Sequence, residues 1–167
     1  MIKEHLSNFK IPSQKTREYQ SCEILKIYFG TNNKIIKKLP ITYAKSFSKN
    51  IPPKFKFVQL PIWAHDCGVS GKICVPDEFF DEWDQVPWLD VVWWMSTGYA
   101  EKLWEIKNGN IDSYSFRLKG WDKIYWEYAW ANRIGMFLRK WASKEFKKKE
   151  TKLFGPLPTA SLIFTHD

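Results

Sequence analysis

The chain of 167 residues is 44% hydrophobic and 26% charged, which fits one ordinary globular domain and excludes disordered, collagen-like and disulfide-stapled miniprotein classes. Aromatic residues make up 17%, including ten Trp, enough large apolar side chain to build a core without covalent help. The net charge of +8 is segregated: residues 1–62 carry twelve Lys/Arg against three Glu, residues 63–112 three against ten acids, and residues 113–167 eleven against five. Such a basic–acidic–basic chain satisfies part of its own field on folding, which weakens the inference from total charge to a polyanionic partner.

From Gln14 to Phe29, Tyr19, Cys22, Leu25 and Tyr28 recur every three residues and Gly30 follows as a terminating residue. This predicts a helix, although ILKIYF also suits a strand. KIIKKLPITY and KFKFVQLPIW, punctuated by Asn32-Asn33 and Pro52-Pro53, read as two short strands. The next stretch, Asp77 to Lys107, is helical in pattern. Asp77 to Glu82 place carboxylates at its expected start after Pro76, where they complement the positive end of the helix dipole. Leu89, Val92, Trp93, Ser96, Tyr99, Ala100, Leu103 and Trp104 share one face, Pro87 is expected to divide the stretch, and Asn108-Gly109-Asn110 ends it.

A second helix is predicted from Ile124 to Lys149, with Ile124, Tyr128, Ala131, Ile134, Leu138, Trp141, Ala142 and Phe146 facing inward. Lys144 to Lys149 then lie near its negative end. Gly155 to Pro158 form an extended linker, and the apolar run Ala160 to Phe164 suits a strand buried on both faces. The expected architecture is an α+β domain of residues 1–154 with a Lys-rich N-terminal layer and two main amphipathic helices packed on a few short strands. Residues 155–158 link it to an apolar strand at 159–167.

Several constellations carry residue types suited to chemistry. His65, Asp66 and Cys67 with Cys74 invite a metal reading, but Cys-x6-Cys is not a standard zinc spacing and buried cysteines are the simpler expectation. The carboxylates Asp77, Glu78, Asp81, Glu82 and Asp84 read as a solvated helix start before they read as a catalytic pair. Lys37-Lys38 and Lys147 to Lys149 match no nucleic-acid motif and read as exposed polar faces. Trp93, Trp104 and Trp141 fall on the predicted apolar faces. Trp94, Trp121, Tyr125 and Trp126 fall off them, close to Arg117 and Asp122. Exposed rings flanked by hydrogen-bonding groups suit sugar faces or nucleobases, so Arg117, Trp121, Tyr125 and Trp126 are the candidate ligand contacts, with packing as the other reading.

The segment GPLPTASLIFTHD, residues 155–167, resembles the entry into the catalytic domain of polysaccharide deacetylase-like proteins of the carbohydrate esterase type, where an apolar strand runs into Thr-His-Asp-x-Asp. Ser113 to Leu118, Ala129 to Arg133 and Phe137 to Ala142 are similar to the helical region that precedes that domain. By this resemblance Asp167 is the general base acting on a metal-bound water. The family's second Asp and its His-x-x-x-His pair have no counterpart in the sequence. The resemblance therefore implies a non-catalytic N-terminal part, cut short at the first Asp of the motif, that supports a deacetylase domain in cis or in trans. It implies no cofactor for this chain and a divalent metal for the catalytic domain.

The partners so implied are a surface glycan and that catalytic domain. The alternative is a small basic module for nucleic acid or a protein partner. Three cysteines without a disulfide framework, a charged N-terminus and the lack of a long apolar run point to a cytoplasmic protein with no membrane span.

Overall fold

The computed structural model describes residues 10–109 and 120–158. Helix α1, Gln14–Ile24, opens at Ser13, whose hydroxyl accepts from the Thr16 amide at 3.3 Å. After a break at Leu25 the chain continues as α2, Lys26–Phe29, and Gly30 at φ +56° turns it away. The predicted helix over 14–29 is present in two pieces, and its strand alternative is not adopted.

The strand expected in KIIKKLPITY is corrected by a 3-10 helix at Asn33–Lys38. Ile36 and Leu39 are three residues apart, and both are buried, a spacing that a helical turn satisfies and a two-residue period does not. KFKFVQLPIW does supply a strand, β1, Phe55–Gln59, which pairs antiparallel with β2, Lys72–Pro76, in the register Phe57 opposite Cys74. A 3-10 helix at Ile62–Cys67 and a tight turn through Ser70 and Gly71, both at positive φ, connect them.

Helix α3, Trp88–Ser96, starts eleven residues beyond the expected point. The Asp77 amide instead bonds the Lys54 carbonyl, extending the sheet, and the acidic residues Asp77 to Asp84 lie in the following turn rather than in a helical first turn. Pro87 precedes α3 instead of dividing a longer helix, consistent with proline's fit at helix starts. The break comes at Gly98, φ +63°, which separates α3 from α4, Tyr99–Asn108. Trp88 to Trp94 are all buried, including the charged Asp90, so α3 is enclosed on every side and Trp94, expected off the packed face, is in the core.

The second predicted helix is likewise interrupted. Ile124–Glu127 form α5 and Trp130–Glu145 form α6, with Ala129 at φ +46° between them. Ile134, Leu138, Trp141 and Ala142 face the core as expected, whereas Tyr128 is exposed at the break. A short helix, α7, Glu150–Phe154, precedes Gly155, in a stretch to which the sequence pattern assigns no element. The apolar run at 160–164 lies outside the described residues.

Packed around α3 are α1 on one side and α6 on the other, while α6 also covers β2 and the 3-10 helix at 62–67. Helices with one two-stranded antiparallel sheet make an α+β fold. None of the helices among the described residues is long and apolar enough to cross a membrane. Two buried arginines tie the layers. Arg17 on α1 pairs with Asp90 on α3 at 2.7 Å, and Arg139 on α6 donates to the carbonyls of Tyr28 and Gly155.

Candidate functional site

The breaks at Gly98 and Ala129 leave a cleft of about 340 Å³ between the α3–α4 corner and the α5–α6 corner. Its wall is built locally. The Asp122 carboxylate accepts from the Ile124 amide at 3.0 Å and starts α5, which carries Tyr125 and Trp126 on successive residues. Trp130, the first residue of α6, donates its indole N–H to the Ile124 carbonyl at 2.6 Å and locks the corner. Ala129 replaces a side-chain cap with its own carbonyl, which accepts from the amides of Asn132 and Arg133.

Tyr125 is the centre of an aromatic cluster. Its ring lies 5.3 Å from Phe55, 5.5 Å from Trp94 in an edge-to-face contact, and 5.8 Å from Trp126 at 88°. The Tyr125 hydroxyl sits 3.3 Å from both the Met95 carbonyl and Glu101 Oε2, so one proton serves two acceptors. Burial pushes the Glu101 carboxyl above the usual carboxylate range, opposed by a bond from its own backbone amide and by Tyr125. Burial and the adjacent Glu101 push the Tyr125 phenol far above its ordinary value, so it remains a donor.

The predicted ligand residues separate on exposure. Trp126 is 39% exposed and lines the cleft, whereas Tyr125 and Trp121 are each 8% exposed. Trp121, expected to be an exposed ring, packs edge-on to Tyr125 at 6.2 Å and serves the core, because the cluster around Tyr125 encloses it. Arg117 and Asp167 lie outside the described residues. Sequence reasoning missed Glu101, Ser96 and Asn132. Each is an ordinary polar residue on a helix, and no motif marks it.

The other constellations do not assemble. His65 Nε2 lies 3.0 Å from the Leu60 carbonyl and 3.2 Å from Gln59 Nε2, Asp66 pairs with Lys140, and Cys67 and Cys74 are buried. Among the described residues no group of three or more His, Cys, Asp or Glu is placed to hold a metal. Asp81 pairs with Lys56 at 2.8 Å, and Glu78 accepts from the Ser48 amide.

Chemically, the cleft offers an aromatic face from Trp126, a carboxyl that keeps its proton unusually long, and the exposed amide and hydroxyl of Asn132 and Ser96. Its described lining supplies one carboxyl from Glu101 and hydrogen-bonding groups from Tyr125, Asn132 and Ser96. An apolar ring face beside convergent donors and acceptors matches a polyhydroxylated ring. No family model, curated protein or solved structure matches this chain.

Proposed function

We propose that this chain is the non-catalytic accessory part of a polysaccharide deacetylase-like protein of surface-glycan metabolism, and that the Trp126 cleft receives a sugar ring of the glycan. The carrying observation is the half-exposed Trp126 set beside Glu101, Ser96 and Asn132 in an opening large enough for one pyranose. The resemblance of residues 155–167 to the entry of a deacetylase domain supports the wider assignment, with Asp167 in the position of the family's general base. On this reading the domain holds the glycan while a metal-dependent catalytic domain performs the hydrolysis.

Titration with an N-acetylglucosamine oligomer, followed by Trp fluorescence, tests the cleft. Quenching is expected for the native protein and absent in Trp126→Ala, while Glu101→Gln weakens it. Trp121→Ala would disturb the core rather than the cleft, because that ring is buried. No quench at millimolar sugar, or a quench retained in Trp126→Ala, overturns the glycan site. The wider assignment is read from the DNA beyond codon 167. An Asp followed by a His-x-x-x-His motif there or in the adjacent reading frame supports it, and their absence from both overturns it.

A further inference from the structure

We infer that a second cavity, independent of the Trp126 cleft and of the glycan reading, binds a short zwitterionic peptide with an apolar side chain. The cavity has a volume of about 480 Å³ and lies between the irregular segment at 42–46 and the turn at 78–87. Small-ligand sites usually take this form, an opening of about 300–1,000 Å³ with apolar walls and a few placed polar groups.

Its two walls are pinned to each other and to the core. The Thr42 hydroxyl donates to the Gln85 carbonyl at 2.7 Å, and the Ser48 amide donates to Glu78 Oε2. Phe47 packs edge-on to Phe79 with ring centroids 6.2 Å apart. Between Thr42 and Ser48, Ala44 is held through both main-chain groups, its amide donating to Asp90 and its carbonyl accepting from Arg17. Walls fixed in this way spare a ligand the cost of ordering them. Phe79, Phe80 and Pro87 supply the apolar lining. Phe79 and Pro87 are buried, whereas Phe80 is 62% exposed and has apolar area left for a ligand to cover.

The charged lining decides what that ligand is. Lys45 and Glu78 both line the cavity and are exposed. Among the described residues neither has an opposite charge within ion-pair distance, the other of the two included. A neutral sugar would leave both charges without partners. A ligand of one sign would satisfy one of them and meet the other as a like charge. A molecule that carries both signs and an apolar group answers the whole lining, its ammonium on Glu78, its carboxylate on Lys45 and its side chain on Phe80. The Ser48 bond occupies Glu78 Oε2 and leaves Oε1 for the ammonium. The Thr42 oxygen, having given its proton to Gln85, keeps lone pairs for a peptide N–H. The volume exceeds what a single amino acid fills and suits a dipeptide.

Isothermal calorimetry of the full chain with leucyl-phenylalanine, its N-acetyl form and its C-terminal amide tests the proposal. The free dipeptide is expected to bind, and each capped form to bind about two- to fivefold more weakly, the worth of an exposed ion pair. Lys45→Gln should weaken the free dipeptide by the same factor and abolish its advantage over the amide alone. Glu78→Gln, which keeps an oxygen for the Ser48 amide, should abolish its advantage over the N-acetyl form alone. Phe80→Ser should weaken all three ligands alike, by about tenfold, through lost apolar contact. All three side chains are exposed, and circular dichroism checks that the variants fold. No binding at millimolar dipeptide, equal affinity for the free and capped forms, or an advantage that survives the matching variant overturns the proposal. A loss on capping one end only overturns the zwitterion in favour of a singly charged ligand.

Discussion

Replacing Asp90 with Ala tests what holds the N-terminal layer to the core. Asp90 is 1% exposed and uses both oxygens, Oδ1 accepting from Arg17 Nε at 2.7 Å and Oδ2 from the Ala44 amide at 2.6 Å. Arg17 is almost as buried. It spends its other donors on the Pro12 carbonyl at 2.6 Å and the Ala44 carbonyl at 3.2 Å, and lies 4.9 Å over the Phe47 ring. One ion pair thus fixes α1, α3 and the irregular segment around Ala44 together. Asp90→Ala strands a guanidinium without its counter-charge and frees an amide, a loss of about 3–5 kcal/mol. That is a large share of a domain stability of roughly 5–15 kcal/mol. Arg17→Met strands the carboxylate instead and costs a similar amount, but the double variant removes both charges and should cost at least about 2 kcal/mol less than the sum. Urea unfolding followed by Trp fluorescence at neutral pH measures all three. A loss below about 1 kcal/mol for Asp90→Ala would mean that water screens the pair as at a surface, and the account of the core would be refuted.

Gly135 on α6 lies where α6 crosses α2 and the break at Leu25, and a Cβ there would sit 2.7 Å from Tyr28 Cδ2 and 3.1 Å from Leu25 Cδ2. Gly135→Ala should destabilise by about 1–3 kcal/mol, outweighing a helix-propensity gain of about 1 kcal/mol, and a higher thermal midpoint would contradict the crossing. Burial raises the Glu101 carboxyl, so the folded state holds its proton to higher pH than the unfolded chain and stability falls as pH rises from the ordinary glutamate range toward neutrality. Glu101→Gln removes its share of that decline from urea midpoints measured across the range, while the share from Glu78, raised for the same reason, persists. Burial pushes the Cys22 thiol up to about 11 and those of Cys67 and Cys74 up to about 12. All three should resist an aromatic disulfide reagent at mildly alkaline pH in the native protein and react fully in denaturant.

The periodic segments were legible in the sequence. Ile134, Leu138, Trp141 and Ala142 recur at helical spacing because α6 buries one stripe and wets the other, and that asymmetry is written in the residues. Helix α3 is buried on every side, so its sequence has no period to announce which face meets which neighbour, and Trp94 was misplaced accordingly. Breaks within helices were harder still. Pro87 looked like an interruption and is a start, while the actual interruptions rest on positive φ at Gly98 and Ala129, and nothing local distinguishes Ala129 from a helical alanine. For the cleft, the adjacent Tyr125 and Trp126 drew attention as aromatics, but only the fold brings Glu101 to Tyr125 from another helix and encloses Trp121.

That dependence on a strained residue makes Ala129 the sharpest test of how the cleft is formed. At φ +46° and ψ +55° it occupies the left-handed region, which costs a residue with a Cβ about 1–2 kcal/mol. Ala129→Gly relieves that strain but gives the unfolded chain more freedom, worth about 0.4–1 kcal/mol in the other direction. The net expectation is a gain of about 0.5–1 kcal/mol, or a thermal midpoint higher by about 2 °C. The bonds that the Ala129 carbonyl accepts from Asn132 and Arg133 involve backbone alone, so they survive the change and the corner keeps its angle. Sugar-induced quenching of Trp126 should therefore be unaltered while stability rises. A fall in stability would show that the Ala129 methyl supports the α5–α6 corner by packing, and the corner would then owe its shape to side-chain contacts rather than to the backbone turn.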